Sequence, residues 1–336
     1  MFDSNFYIAE IGNNHQGDIE IAKEMILAAK NAGASAVKFQ KRNNKALMQK
    51  VLCDKEYDNK NSYGKTYLEH RDKVELTIDE FKDLKQFSID NEILFFATPF
   101  DLPSLKELES IGCDLYKLAS ADLVHHELLR AVCETGKPVI MSTGGCTMEE
   151  IDESINIARS YGNELALLQC TASYPCEPKD MHLGVIQTYI NRYPDVTVGL
   201  SDHQSGISMA LIAYTLGARI FEKHFTLHRS WKGTDQSFSL EPNGLRRMIR
   251  DIEEIDEAIG DGRKYPLEIE NDGMYKMRKS IISKSAIPVG TIITRDMLDT
   301  KVPCNGLTVD KMPLVLGKKT LINIEEDSPI NLADLE

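Results

Sequence analysis

VTVGLSDH, residues Val196–His203, and GARIFEKH, residues Gly217–His224, are two short β-prone runs that each end in a histidine. An apolar helical pattern, Ile207–Leu216, lies between them, and this order predicts a right-handed βαβ unit with parallel strands. Parallel strands bring their carboxyl ends to one edge of a sheet, which in a closed barrel is the mouth where the chemistry takes place. We therefore expect the two histidines to meet at such a mouth.

The same alternation of strand and helix continues towards the amino terminus. Six further β-prone runs precede the quoted stretches, at Phe6–Ile11, Ala36–Gln40, Ile93–Ala97, Leu115–Ala119, Val139–Ser142 and Leu165–Gln169. Helical patterns separate them, at Ile19–Asn31, Ile78–Asp90, Leu102–Ile111, Glu127–Thr135 and Met148–Tyr161. Eight such units in about 225 residues predict an α/β fold of the (β/α)8 TIM-barrel type. An open doubly wound sheet is the alternative, although no GxGxxG sequence follows the first strand.

Two segments do not follow this alternation of strands and helices. Residues 41–77 form a long polar insertion after the second strand, and a loop of this length is usually functional or disordered. The run GDGRKYP, residues 260–266, follows the last helical pattern and indicates a domain boundary. Short strand-like runs with little helix lie beyond it, at Ser280–Ser283, Gly290–Thr294 and Lys319–Ile324. We therefore predict a barrel domain over 1–262, a linker over 263–274 and a small β-rich domain over 275–336.

The composition argues against several classes of protein. The net charge of −13 disfavours a general nucleic-acid-binding surface, and no apolar run reaches the roughly 20 residues of a membrane span. No secretory signal is visible at the start of the sequence, and the seven cysteines contain no CxxC pair. These features predict a cytoplasmic protein with reduced thiols that binds neither nucleic acid nor membrane.

Polar side chains follow the ends of the predicted strands, where a barrel would place them around one opening. His203 and His224 follow the last two strands, and two neutral imidazoles with carboxylates nearby are typical of a catalytic divalent-metal site. The alternative is that each histidine only caps its own strand. The other candidates at the mouth are Glu10, Lys38, Gln40, Thr98, Lys117, Ser120, Asp122, Ser142 and Tyr174.

Lys38 and Lys117 stand inside strand patterns, where a lysine is costly to bury unless it has an anionic partner. Beside serine and threonine hydroxyls, two such lysines suit a phosphate or carboxylate ligand. The alternatives are a solvated strand edge or an internal ion pair with Glu10 or Glu222. Glu10 itself is a candidate acid or base, and Asp235, which follows the last strand, is a candidate for the metal shell.

These motifs together resemble those of the sialic acid (nonulosonate) synthases. The matching segments are IAEIGNNHQG at 8–17, KFQ at 38–40, YK at 116–117, STG at 142–144, QCT at 169–171, YP at 174–175, GLSDH at 199–203 and EKHFT at 222–226. The resemblance runs nearly end to end and implies that the C-terminal segment is an antifreeze-like (SAF) domain. It also implies a domain-swapped homodimer that condenses phosphoenolpyruvate with an N-acylated hexosamine or its 6-phosphate.

The resemblance further implies roles for the residues at the mouth. His203 and His224 would bind a divalent ion, most simply Mn²⁺, with Mg²⁺ or Co²⁺ as alternatives. Phosphoenolpyruvate would bind to Lys38, Gln40, Thr98, Lys117, Ser120, Ser142 and Ser201. The residues that face the sugar or the metal-bound water would be Glu10, Asp122, Tyr174 and Asp235. Catalysis would rest on Glu10, His224 and Asp235.

The insertion is similar to that of the branch that contains the animal sialic acid 9-phosphate synthases. We therefore expect Lys65 and Arg71 to bind a 6-phosphate on the sugar, the alternative being that they only order the loop. Three other functions stay open. They are a related synthase with a legionaminic, pseudaminic or deaminated product, an aldolase that forms a Schiff base through Lys117, and a non-catalytic carbohydrate-binding protein.

Overall fold

The computed structural model describes residues 1–2 and 4–336, which divide into two compact units, Met1–Ile259 and Gly260–Glu336. In the first unit eight parallel strands, paired in chain order, close into a barrel. They are β1 (Phe6–Gly12), β2 (Ala36–Lys41), β3 (Leu94–Pro99), β4 (Tyr116–Leu118), β5 (Val139–Ser142), β6 (Leu165–Cys170), β7 (Thr197–Asp202) and β8 (Ile220–His224). The predicted barrel is confirmed, and the alternative of an open sheet is wrong.

Helices connect the strands and cover the outside of the barrel. In chain order they are α1 (Ile19–Ala32), α2 (Asn44–Leu47), α3 (Lys50–Cys53), α4 (Tyr67–Lys73), α5 (Ile78–Asp90), α6 (Leu102–Ser110), α7 (His126–Glu134), α8 (Met148–Arg159), α9 (Val185–Arg192), α10 (Ser208–Thr215) and α11 (Pro242–Ile259). The predicted patterns did not include α9, which buries Ile186 and Tyr189 and so has a short apolar stripe. None of the helices within 1–2 and 4–336 is long and apolar enough to cross a membrane.

Successive strand residues point alternately into the barrel and towards the helices, as the two-residue period requires. The inward residues near the strand starts form an apolar layer of Phe2, Phe6, Ile8, Ala36, Phe96, Leu115, Ile140, Ala166, Leu168 and Ile220. Two positions further along β1 and β8, the inward residues are the buried carboxylates Glu10 and Glu222. This change along each strand closes the barrel at one end and leaves a polar cavity at the other.

Gly12 ends β1 at a bulge, because the pairing of β1 with β2 shifts between Glu10 and Gly12. Its φ of +53° lies in the left-handed region that favours glycine. A Cβ atom here would lie 3.0 Å from Glu10 Oε1 and 3.1 Å from Gln40 Nε2. Glycine at this position therefore leaves room for two polar side chains at the mouth of the barrel.

The insertion after β2 folds into α2, α3 and α4 and forms a wall beside the mouth. A capping box starts α4, in which Glu69 N donates to Thr66 Oγ1 and Thr66 N donates to the Glu69 carboxylate. The Tyr63 hydroxyl donates to Gln16 Oε1 at 2.7 Å, and the ammonium group of Lys232 lies 4.8 Å from the centre of the Tyr63 ring. These contacts attach the insertion to the first and last loops of the barrel.

The second unit, Gly260–Glu336, has a small core of its own, formed by Ile281, Ile287, Ile293, Leu298, Val315, Ile324, Ile330 and Leu335. Its helices and strands are α12 (Asn271–Met277), β9 (Ser280–Ser283), β10 (Leu298–Lys301) and α13 (Met312–Val315). β9 and β10 pair antiparallel.

Two of the three strand-like runs predicted in this unit, Gly290–Thr294 and Lys319–Ile324, are wrong as strands. They form isolated bridges, such as the bridge between Ile292 and Lys319. A side chain replaces part of the backbone pairing there, because Thr320 Oγ1 accepts a hydrogen bond from Thr291 N at 3.0 Å and donates one to Pro288 O at 2.7 Å.

Candidate active site

A cavity of about 440 Å³ opens at the carboxyl ends of the barrel strands. Each of the eight strands contributes to its lining, through Glu10, Lys38, Gln40, Thr98, Lys117, Ser142, Cys170, Ser201, Glu222 and His224. This is the end of the barrel at which enzymes of this fold perform their chemistry, and the volume suits a small-molecule substrate.

His203 and His224 lie side by side in this cavity, with ring centres 5.4 Å apart. The Nδ1 atom of His203 lies 2.9 Å from Thr171 O, and we assign the proton to this nitrogen because a carbonyl oxygen can only accept. Burial, together with the neighbouring His224, lowers the pKa of His203 to about 3. His203 is therefore a neutral imidazole whose ring a backbone carbonyl orients.

Tyr174 and Asp235 complete the surroundings of the two histidines. The Tyr174 ring centre lies 4.1 Å from that of His203, and Asp235 Oδ2 lies 3.7 Å from His224 Nδ1. Within the described residues, His224 Nδ1 is buried without a hydrogen-bond partner, and no group of three or more His, Cys, Asp and Glu side chains could by itself hold a metal ion. The chemistry of the two imidazoles suits a divalent ion that takes its remaining ligands from water or substrate.

Two lysines and two glutamates face one another at the floor of the cavity. Lys38 Nζ lies 2.5 Å from Glu10 Oε2 and 3.8 Å from Glu222 Oε2, and it donates to Thr98 Oγ1 at 3.3 Å. Lys38 thus makes the internal ion pair that the sequence left as an alternative. Lys117 Nζ instead donates to Ser142 Oγ at 2.5 Å and to a backbone carbonyl at 3.0 Å.

Glu222 and Lys117 shift each other's pKa, and Lys38 adds to the effect on Glu222. Burial alone would raise the pKa of Glu222, but the ammonium groups of Lys117 and Lys38 outweigh burial and lower it. Burial lowers the pKa of Lys117, and Glu222 opposes that change. Ser201 Oγ also donates to Glu222 Oε1 at 2.9 Å, which favours the carboxylate. The floor is therefore a preformed set of charges with hydroxyl groups at its edge.

The remaining predicted residues mostly belong to the same cavity. Gln40 Nε2 donates to Glu10 Oε1 at 2.5 Å, and Ser120 Oγ accepts from Gly144 N at 2.9 Å. The structure brings together thirteen of the predicted site residues in the lining, namely Glu10, Lys38, Gln40, Arg71, Thr98, Lys117, Ser120, Ser142, Tyr174, Ser201, His203, His224 and Asp235.

Two residues predicted to bind the sugar, Lys65 and Asp122, are not part of the cavity lining, and their roles stay predictions. The side chain of Lys65 is exposed. The residue directly precedes Thr66, the N-cap of α4, and its backbone N donates to Glu69 Oε2 at 2.7 Å. Asp122 ends a 3-10 turn, Ser120–Asp122, that presents Ala119, Ser120 and Ala121 to the cavity instead.

Several lining residues were not predicted as site residues. Glu222 lies two positions before His224, and Arg42 lies two positions after Gln40, so the strand period could have identified both. The insertion adds Tyr57, Tyr67 and His70, which pack as an aromatic cluster with ring centres 4.7 Å apart for Tyr57 and His70. No periodic signal in the sequence identifies this cluster.

Asp122 gives a testable dependence of stability on pH. Its Oδ2 atom is buried and has no hydrogen-bond partner in the described part of the chain, and burial raises its pKa to about 6. Below pH 4 the carboxyl group is protonated in both the folded and unfolded chains. As the pH rises to about 6, the unfolded chain releases this proton first, so the folded state loses stability.

Asp122→Asn is therefore expected to stabilise the protein by about 1 kcal/mol above pH 7 and by almost nothing at pH 4, after allowance for partial solvent access. Urea unfolding at both pH values measures this difference. Asp83→Asn, at an exposed position on α5, is the matched control and should show no such trend. Equal effects of Asp122→Asn at pH 4 and pH 8 would contradict the expectation.

Comparison with known proteins agrees with this geometry. The NeuB family matches residues 25–264, and the SAF domain family matches residues 278–336. The N-acetylneuraminate-9-phosphate synthase of Homo sapiens is 36% identical over 326 residues, which cover 97% of this chain and 91% of that protein. The N,N'-diacetyllegionaminic acid synthase of Campylobacter jejuni is 34% identical over 327 residues, covering 96% and 98%.

Solved structures give the same result. The crystal structure of N-acetylneuraminic acid (sialic acid) synthetase from Leptospira borgpetersenii, in complex with citrate, has a TM-score of 0.70 and 35% identity and covers 81% of this chain and 90% of that one. The spore coat polysaccharide biosynthesis protein of Bacillus subtilis has a TM-score of 0.66 and 27% identity, covering 99% and 95%. The chain therefore belongs to the NeuB family, the sialic acid synthases that its motifs resemble.

Proposed function

We propose that this protein joins phosphoenolpyruvate to the aldehyde form of an N-acylated amino sugar and releases phosphate. The observation that carries the proposal is the cavity floor, where two buried lysines and several hydroxyl groups lie beside the histidine pair. The family, whose named relatives make N-acetylneuraminate 9-phosphate and diacetyllegionaminic acid, supports the same reaction class.

In this proposal Lys38 and Lys117 bind the carboxylate and phosphate groups of phosphoenolpyruvate. Both ammonium groups are buried, and an ion pair in such a setting is stronger than one in water. Among the described residues Lys117 donates only to neutral oxygens, so its positive charge is available to an anionic ligand. The hydroxyls of Thr98, Ser142 and Ser201 supply neutral donors at the same level.

We further propose that His203 and His224, with Asp235 beside them, hold a divalent ion, most simply Mn²⁺. When bound, such an ion supplies Lewis acidity to a carbonyl oxygen. The Thr171 carbonyl fixes the His203 ring, and contacts of this kind commonly orient metal-binding histidines. Asn14 joins the first and last barrel loops by donating to Phe225 O and Ser239 Oγ, both at 2.9 Å, and so steadies the segment that contains Asp235.

The proposed reaction forms one carbon–carbon bond and breaks one carbon–oxygen bond. The C3 atom of phosphoenolpyruvate attacks the sugar aldehyde carbon, water adds at C2, and the bond from C2 to the bridging oxygen breaks to release phosphate. Glu10 is the proposed base for this water. Gln40 and Lys38 hold its two oxygens, and its position beside Lys38 brings it to the level of the bound substrate.

A second candidate is an aldolase that forms a Schiff base, which the lowered pKa of Lys117 favours because a neutral amine is nucleophilic. We expect this candidate to fail, because Lys117 Nζ donates to Ser142 Oγ and to a carbonyl, a geometry suited to an ammonium ion. Treatment with pyruvate and borohydride should leave the mass of the protein unchanged. A stable adduct on Lys117 would favour the aldolase.

The proposal is tested by measuring phosphate release across a panel of sugars. The panel contains N-acetylmannosamine, its 6-phosphate, mannose 6-phosphate and bacterial diamino sugars, each with and without phosphoenolpyruvate. We expect release only when both substrates are present, with loss on chelation and recovery on addition of Mn²⁺. Phosphate release from phosphoenolpyruvate alone, or no release with any sugar, would refute the proposal. The domain-swapped homodimer and the cytoplasmic location stay predictions.

A further inference from the structure

We infer that Arg42 and Arg71 form a second anion subsite in the outer part of the cavity, which binds a phosphate ester on the distal end of the sugar. This inference rests on the proposed function and decides between a free and a phosphorylated amino sugar. Both arginines line the same cavity as the floor lysines. They come from different elements, since Arg42 follows β2 and Arg71 lies on α4.

Each of these arginines has a buried nitrogen that lacks a partner. Arg42 Nη1 and Arg71 Nη2 are both inaccessible to solvent and make no hydrogen bond with any described residue. A guanidinium group donates five hydrogen bonds, and a buried charged donor that stays unsatisfied is unfavourable. Two such groups at one wall indicate that a ligand, rather than the protein, supplies the acceptors.

Among the described residues, no carboxylate makes an ion pair with either arginine. Glu75, the nearby acid, accepts hydrogen bonds from Lys41 Nζ and from the backbone N of Arg42, each at 2.9 Å. Burial and then the charge of Arg71 lower the pKa of Arg42 to about 9, while Glu75 and Asp235 act in the opposite direction. Arg42 therefore stays protonated at neutral pH, and the repulsion between the two guanidinium groups favours an anion between them.

The orientation of the pair is fixed before any ligand binds. The Arg42 guanidinium carbon lies 3.5 Å from the centre of the Phe100 ring, so the guanidinium group stacks on the aromatic face. Arg71 belongs to α4, which the capping box of Thr66 and Glu69 starts. A planar, preoriented guanidinium group is suited to paired hydrogen bonds with phosphate oxygens.

The arginines lie at a different level of the cavity from the floor lysines. Lys38, Gln40 and Arg42 are successive inward positions of one strand and its extension. Four residues of strand span roughly 13 Å. This separation is of the same order as the length of an extended six-carbon sugar with a terminal phosphate, so the aldehyde could meet phosphoenolpyruvate at the floor while the phosphate contacts the long arginine side chains.

The test compares kcat/KM for N-acetylmannosamine and its 6-phosphate in the wild-type chain, Arg42→Gln and Arg71→Gln. We expect the wild type to prefer the phosphorylated sugar, and each substitution to reduce that preference by about 10- to 100-fold, the value of a lost charged hydrogen bond. Arg42→Lys should recover part of the preference. Arg246→Gln, at an exposed position on α11, is the matched control and should leave it unchanged.

Three outcomes would overturn the inference. They are a wild type that prefers the free sugar, an unchanged preference in both variants, or a rise in KM for phosphoenolpyruvate alone. If the wild type shows no turnover with either sugar, the proposed function fails, and binding then tests the subsite separately. In that case mannose 6-phosphate should bind to the wild type at least tenfold more tightly than to the Arg42→Gln variant. Mannose should bind to both proteins with equal affinity. Equal affinities for the sugar phosphate would overturn the subsite itself.

Discussion

Replacing His224 by alanine is expected to reduce kcat for phosphate release by at least about 10³-fold, since a bound divalent ion contributes several kcal/mol to transition-state stabilisation. The ring lies 5.4 Å from that of His203, and its Nδ1 atom is buried without a partner in the described residues. His203→Ala should have a similar effect. Both variants should also lose Mn²⁺ during dialysis, which metal analysis of the purified protein measures directly.

His228→Ala is the matched control for this prediction. His228 lies only four residues beyond His224, but it is exposed and its ring contacts Trp231 outside the cavity. Its removal should change neither kcat nor the metal content. Circular dichroism of all three variants shows whether a loss of activity results from loss of the site or from unfolding of the protein. The proposed metal site would be untenable if His224→Ala kept its Mn²⁺ and at least a tenth of the wild-type turnover.

Replacing Lys38 by methionine is expected to abolish turnover and also to destabilise the fold by about 3–5 kcal/mol, because it leaves the buried Glu10 carboxylate without a counter-charge. Lys38 Nζ lies between Glu10 Oε2 at 2.5 Å and Glu222 Oε2 at 3.8 Å, and all three side chains are buried. Urea unfolding measures the loss of stability, and phosphate release measures the loss of activity.

The double variant Lys38→Met/Glu10→Gln separates these two effects. Removing one of the carboxylates should restore most of the stability, because Glu222 still has Lys117 nearby, but it should not restore turnover. Lys223→Met provides the matched control. It breaks a buried ion pair with Asp202, at 3.0 Å, on the helix-facing side of β8. We expect Lys223→Met to lose about as much stability as Lys38→Met but to keep far more of the wild-type kcat. Recovery of activity in the double variant would contradict the role of Lys38.

The strands and the floor of the site could be predicted because both follow from a period of two. Each strand predicted for the barrel overlaps an observed one, and the polar residues at their ends converge as the parallel barrel requires. The same rule, applied one step further, would have added Glu222 and Arg42. A buried polar side chain can be recognised in the sequence when it interrupts an otherwise apolar series of inward-facing strand positions.

The wall formed by the insertion could not be derived in this way. Lys65 and Arg71 are six residues apart in a polar segment, and only the start of α4 between them decides that one is exposed and the other buried. Asp122 likewise follows a strand, but the 3-10 turn at Ser120–Asp122 keeps it out of the cavity lining. In both cases local turns and caps, which have no period, determine where the side chain lies.

The insertion has an evolutionary consequence. Residues 42–73 are one contiguous stretch that supplies the outer arginines and the aromatic cluster, whereas the lysines and glutamates of the floor come from four strands of the barrel. Exchange of this single segment could therefore adapt a descendant enzyme to a new sugar acceptor while the residues that form the carbon–carbon bond stay unchanged. Diversification of products would then proceed by replacing a module rather than by rebuilding an enzyme.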